Sequence, residues 1–192
     1  MNINAALRRD GHRALRNHKY EIGPRGILLP AAGLFIAGHF ETSIDQKPWH
    51  MHANIVPTEG LNNALSVWLD QGSQDSAHYI GLFTGNVTPA ASWTAANVTA
   101  NSTEFTAYDE ATRQTWAKAD PAAGVLSNNA SPATFTMSTG GPFLIRGGFL
   151  VSASAKSATT GKLAAAARFD DDQTLSTGSE LKVKYVITAT ST

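Results

Sequence analysis

The clearest periodicity along the chain is helical and occurs once. Leu61, Ala64, Leu65, Trp68 and Leu69 recur at i, i+3, i+4, i+7 and i+8 after Pro57-Thr58-Glu59, which predicts a helix at about 58–71. Thr58 is placed to cap free N–H groups, Glu59 to sit at the positive end of the dipole, and Gly72 to end the helix. A stripe this regular is expected to face a core, so Leu61, Leu65 and Trp68 are expected to be buried. Beyond Gly72 the pattern shortens. Tyr79-Ile80-Gly81-Leu82-Phe83 reads as a buried strand ended by Gly85-Asn86, while Asn97 to Tyr108 reads as a long polar excursion. Thr115 to Ala119 and Ala133 to Met137 alternate, Phe149 to Ser154 follows the flexible pair Gly147-Gly148, and Leu163 to Phe169 adds another strand. Leu181, Val183, Tyr185 and Ile187 share one face of a last strand.

Strands at this spacing, joined mostly by short polar turns, predict a mainly β chain built as an antiparallel β-sandwich with one short helix. Its expected core comprises Leu61, Leu65, Trp68, Tyr79, Ile80, Leu82, Trp116, Phe135, Phe149, Val151, Phe169, Val183 and Tyr185. The chain of 192 residues holds one such domain plus an extension. Residues 1–53 are expected as an extended basic N-terminal docking arm, and residues 54–192 as the sandwich. Asn4 to His18 can form a short basic helix, with Ile3, Leu7, Ala14 and Leu15 on a ragged apolar face and Gly11 weakening its middle. From Tyr20 to Val56 the apolar pieces are short, with Phe35 and Ile36 or Phe40 to Ile44 as possible single strands.

Composition supports the β reading. Charged residues are only 16% of the chain, against roughly 25% in soluble globular proteins, and hydrophobic residues are 42%. Net charge is zero, yet residues 1–25 carry Arg8, Arg9, Arg13, Arg16, Lys19 and Arg25 against Asp10 and Glu21. That asymmetry is a sign of a tail that docks on an anionic surface, whether nucleic acid, membrane or another protein. The apolar run from Ile27 to Ala37 follows the basic stretch in the order of a signal peptide, but Pro30 and Gly33 interrupt it and Gly38-His39-Phe40-Glu41 is a poor cleavage site. It also falls far short of the roughly 20 residues of a membrane span, so no membrane partner is expected. An extended segment laid on a neighbouring apolar surface fits better, which makes Leu28, Leu29, Leu34, Phe35 and Ile36 candidate assembly contacts beside the arm's cations.

The inventory for chemistry is thin. There is no cysteine, hence no disulfide, thiolate metal site or Cys nucleophile. Asn-x-Ser/Thr triplets at Asn86, Asn97, Asn101 and Asn129 follow from composition. His50 and His52 fall on one side of an extended segment, but two ligands are short of a zinc site. Asp170-Asp171-Asp172 lacks the spacing of a calcium loop and reads as a solvated turn between strands. Glu104, Asp109 and Glu110 lie close enough in sequence to supply a glycosidase pair, yet no motif raises that reading above solubilising acids. No nucleophile elbow, phosphate loop or His-Glu-x-x-His occurs. No enzyme, cofactor or metal is expected.

Five blocks carry a resemblance. They are Asn54-Ile55-Val56-Pro57-Thr58-Glu59-Gly60-Leu61-Asn62; Tyr79-Ile80-Gly81-Leu82-Phe83-Thr84-Gly85-Asn86-Val87-Thr88-Pro89; Thr103-Glu104-Phe105-Thr106-Ala107-Tyr108-Asp109-Glu110-Ala111-Thr112-Arg113; Asn129-Ala130-Ser131-Pro132-Ala133-Thr134-Phe135; and Gly148-Phe149-Leu150-Val151-Ser152-Ala153-Ser154 through Arg168-Phe169. In order, they resemble a family of small virion structural proteins of tailed bacteriophages. The resemblance implies a noncatalytic β-sandwich in the virion, at the neck as a collar, on the head as decoration, or in tail attachment. Its expected partners are further copies in a ring and connector, portal or capsid proteins, with no direct reading of nucleic acid. The runner-up is a carbohydrate- or receptor-binding sandwich, for which an exposed Trp93 would be the sign; Trp116 alternates with its strand and is expected in the core.

Overall fold

The computed structural model describes residues 20–22, 28–30 and 34–191, which divide into two compact units, one of the described residues up to 36 with 189–191 and one of residues 37–188. In the first, β1 (Tyr20–Ile22) and β2 (Leu28–Pro30) pair antiparallel, with Glu21 opposite Leu29. The second is the sandwich. Its strands are β3 (Leu34–Ile44), β4 (His50–Ala53), β5 (Tyr79–Phe83), β6 (Glu104–Phe105), β7 (Gln114–Thr115), β8 (Val125–Ser127), β9 (Ala133–Thr136), β10 (Phe143–Val151), β11 (Leu163–Leu175) and β12 (Glu180–Ser191). Two helices accompany them, α1 (Thr58–Leu69) and α2 (Ala95–Ser102).

One sheet has the order β11-β10-β5-β6, with β7 also on β5; the other runs β4-β3-β12-β8, with β9 also on β12. Side chains alternate across a strand, so the two faces of the first sheet bury different sets. Ile80, Leu82, Ile145, Leu150, Ala165, Ala167 and Phe169 meet Phe40, Phe135, Leu181, Val183 and Tyr185 of the second sheet, and Trp116 joins them. The opposite face sends Phe83, Phe149, Val151 and Ala166 against Trp93 and against Ala95 and Val98 of α2. Burial on both faces explains the unbroken apolar run of β5. All the expected core positions in the strands are buried except Tyr79, which is half-buried.

Glycine has a steric role at the centre of this sheet. Gly147 lies opposite Phe83, and Gly81 opposite Phe149, so each glycine leaves room for the ring on the neighbouring strand. β10 therefore runs straight through Gly147-Gly148, and it begins at Phe143 rather than after the pair.

Several expectations are corrected. The body begins well before Asn54, because β3 pairs with β4 and lies beside β12, and Phe40 is fully buried. Alternation there is masked by Thr42, a buried inward residue whose hydroxyl bonds His52 Nε2 at 2.9 Å. The polar stretch after Trp93 holds α2, and Asn97 Oδ1 accepts the N–H of Thr94 at 2.8 Å at its start. Asp170 to Asp172 are no turn. They lie within β11 in a bulge where residues 169–172 face the single residue Arg146 of β10.

Candidate functional site

α1 is anchored from its N-terminal end. Thr58 is its first helical residue and makes no cap; Pro57 precedes it. Glu59 does not stay with its own helix either: its Oε2 accepts the N–H of Ala95 at 2.8 Å and of Leu163 at 2.7 Å, joining α1 to α2 and β11. Gly60 lies against β11, where a Cβ would stand 2.8 Å from the carbonyl oxygen of Ala164 and 2.9 Å from that of Leu163. A residue with a side chain could not pack so closely.

These anchors set the rotation of the helix. Gly60 is buried and Asn63, Ser66 and Val67 are half-buried, a set at i, i+3, i+6 and i+7 that forms the inward face. The expected core stripe therefore points the other way, and the expectation of burial for Leu61, Leu65 and Trp68 is overturned. Leu61 is 43% exposed, Leu65 51%, Trp68 66% and Leu69 68%. In its first turn the helix buries Gly60 because backbone carbonyls, rather than apolar side chains, lie beneath that position. Its apolar side is left as a contiguous surface stripe, the kind that marks an interaction site. At the far end the N–H of Gly72 bonds Ser66 O at 2.9 Å, and the last turn carries no basic side chain.

Of the residues expected to make assembly contacts, Arg8, Arg9, Arg13, Arg16, Lys19 and Arg25 lie outside the described residues. Leu28 and Leu29 belong to β2, Leu34 opens β3, and Phe35 and Ile36 are exposed. The sequence reading missed two exposed residues on or beside β4, Trp49 and Met51. Trp49 borders a shallow hollow of about 280 Å³ with Ser43, Gln46, Lys47, Pro132, Thr134 and Lys182. The ammonium of Lys184 rests 3.7 Å from the centre of the Trp49 ring and occupies a face on which a sugar would stack.

Of the acids considered for catalysis, Glu104 and Glu110 are engaged in structural bonds, and Asp109 is exposed. Glu104 and Arg113 form a two-pronged pair at 2.8 Å on each side, both almost fully buried. Arg113 also donates to the carbonyls of Ala153 and Ala158, and Glu104 accepts from the N–H of Ser157. Glu110 accepts from both the N–H and the hydroxyl of Thr136. Asp172 bridges Arg146 and Arg168 across the bulge. Partial desolvation opposes its ionisation, but the hydrogen bonds and charges of the two arginines prevail and hold its carboxyl below the usual value.

His50 and His52 diverge in environment. His50 is exposed, whereas His52 is buried, stacked on Phe169, with Nε2 on Thr42 and Nδ1 accepting the N–H of Asp170 at 3.1 Å. Both ring nitrogens are thus used inside the fold, and burial, only partly offset by Asp170, lowers the pKa. Among the described residues no three His, Asp or Glu side chains gather as a metal site would require. Trp93, the aromatic on which the binding-module reading leaned, is buried edge-on against Phe83, and Trp116 is in the core with its indole N–H on Tyr185 O.

No protein-family model matches the chain, and no curated protein matches it in sequence.

Proposed function

We propose that this chain is a non-enzymatic structural component of a tailed-phage virion, a collar or neck protein whose copies assemble around the head-to-tail connector. The observation that carries an assembly role is the outward stripe of α1. Four large apolar side chains on a rigidly anchored helix are costly to leave in water and gain most when a partner covers them. The virion setting rests on the resemblance of the five sequence blocks to phage structural proteins. A β-sandwich whose buried acids are tied to arginine and to backbone groups suits a building block.

Copies at a neck obey its rotational symmetry, so a ring or crown of on the order of six or twelve chains is expected. The basic segment with Arg8, Arg9, Arg13 and Arg16 then provides the charge that guides docking, and buried apolar area holds the assembly. Capsid decoration and tail-fibre attachment are the alternative stations. Complementing a phage that lacks the protein, followed by cryo-microscopy of the particles, tests the reading. Density for a closed ring at the neck is the expected result. Copies scattered over the capsid would refute the collar, and particles that assemble and infect normally without any copy would refute the structural role.

A further inference from the structure

The outward stripe of α1 calls for a partner that matches it in length, spacing and charge. α1 has 12 residues, about 18 Å of helix at 1.5 Å per residue. Its N-terminal end is held against Leu163 and Ala164, next in sequence to Lys162. The C-terminal end has the opposite character: it has the negative end of the helix dipole, no basic side chain in the last turn, and Asp70 and Asp75 just beyond. Along the sequence no Lys or Arg occurs between Lys47 and Arg113. The face is therefore apolar along its length and carries two carboxylates at one end, with Lys118 near His78 on the flank.

The chain carries a segment of converse character outside the described residues. Ile3, Leu7, Ala14 and Leu15 recur near helical spacing over 13 residues, close to the length of α1. Residues 1–19 also carry Arg8, Arg9, Arg13, Arg16 and Lys19 against Asp10 alone. We propose that residues 3–15 of one copy dock on the outward stripe of α1 in a neighbouring copy. Ile3, Leu7 and Leu15 cover Leu61, Leu65, Trp68 and Leu69, while the arginines meet Asp70, Asp75 and the free carbonyl end of α1. This rests on the assembly role proposed above and names the surface that receives the arm.

The competing occupant is a second α1. That pairing would be two-fold, would stop at two copies, and would offer no cation from the helix itself to Asp70 or Asp75. An arm on a helix is a heterologous contact, in which every copy both gives and receives, and a ring requires that.

The absence of cysteine allows a direct test with the full-length chain. Variants Leu7→Cys, Leu65→Cys and, as a control on an exposed loop, Thr160→Cys are mixed in pairs and oxidised mildly. The concentration is on the order of 100 μM, enough to populate a contact of micromolar Kd. The Leu7–Leu65 disulfide dimer is expected at least about tenfold above the Leu7–Thr160 product, because docking raises the effective concentration of the pair. It should be lost when Trp68→Glu is added to the Leu65→Cys chain, with the thermal midpoint unchanged since Trp68 is exposed. Equal yields with the two partners, or a Leu65–Leu65 product in excess, would overturn the proposal. Closed rings by mass measurement without the Leu7–Leu65 cross-link would sink the docking face and leave the assembly role standing. The cross-link in a chain that never enters particles would uphold the docking and sink the virion reading.

Discussion

Changing Arg113→Met should be among the most damaging single substitutions in the body. Arg113 is fully buried, and its guanidinium makes two bonds to Glu104 and one each to the carbonyls of Ala153 and Ala158, with its charge also 5.1 Å from the centre of the Phe149 ring. Methionine fills much of the volume but replaces none of those donors. Glu104 would then keep the N–H of Ser157 at 2.9 Å and the Thr99 hydroxyl at 3.3 Å, with its charge buried and uncompensated. Breaking a buried pair in this way costs about 3–5 kcal/mol, a large share of the roughly 5–15 kcal/mol that holds a domain together. For a body of this size it corresponds to a fall in Tm on the order of 10 °C.

The double variant Glu104→Gln/Arg113→Met separates the charge from the packing. Removing both charges relieves the stranded carboxylate, so the double variant should regain at least about half of the loss, since a buried pair replaced as a whole is often near neutral. Urea unfolding of the wild type, both single variants and the double variant gives the coupling energy. A loss below about 1 kcal/mol for Arg113→Met, or a double variant no better than that single one, would refute the account of this pair.

Three further outcomes are expected. Tyr108→Phe should leave stability unchanged or raise it by up to about 1 kcal/mol, because the buried hydroxyl has no hydrogen-bond partner among the described residues; a loss in the urea midpoint would contradict this. Gly147→Ala should cost about 1–3 kcal/mol, since the added methyl collides with the Phe83 ring and the Ala167 carbonyl, and an unchanged midpoint would refute the aromatic–glycine pairing. Burial lowers the pKa of both His52 and His78, so the folded state resists protonation; stability is full above the unfolded value of about 6.5 and declines as pH falls below it. Urea midpoints from pH 7.5 to 5 should show that decline, and His52→Gln should flatten it, with an equally steep decline in the variant counting against His52.

The strands were legible where a side chain's neighbours are strands of the usual kind. Tyr79 to Phe83 could be bounded from the sequence because five apolar residues between polar turns fit a strand buried on both faces. β10 could be read only in part. Gly147-Gly148 looks like punctuation until Phe83 is known to lie across the strand, and that contact joins residues more than sixty positions apart. β3 was legible only as short pieces at Phe35–Ile36 or Phe40–Ile44, and β4 was missed, for a related reason: the inward positions Phe40, Thr42 and Ile44 are interrupted by a hydroxyl, and the cost of burying it is offset by His52 on the paired strand. The same holds for Glu104, whose role depends on Arg113 and on the loop at 153–158.

α1 shows what periodicity leaves open. A stripe at helical spacing identifies two faces, and the usual inference that the apolar one is inward assumes that apolar side chains wait beneath it. At the first turn of α1 there are instead two carbonyl oxygens and two backbone N–H groups, and these select Gly60 and Glu59. The sequence held a partial signal, since Gly60, Asn63 and Ser66 form a small, polar face opposite the leucines, suited to close approach to backbone. Given that anchoring, turning the leucines inward would strand Glu59 and force side chains onto carbonyl groups. The exposed stripe is therefore fixed by the fold, and the proposed docking of another chain would relieve its exposure. Stability of such a surface depends on protein concentration, as it does for any contact made between copies. A helix that is well anchored but apolar outward is thus better accounted for as half of an interface than as a misplaced part of the core.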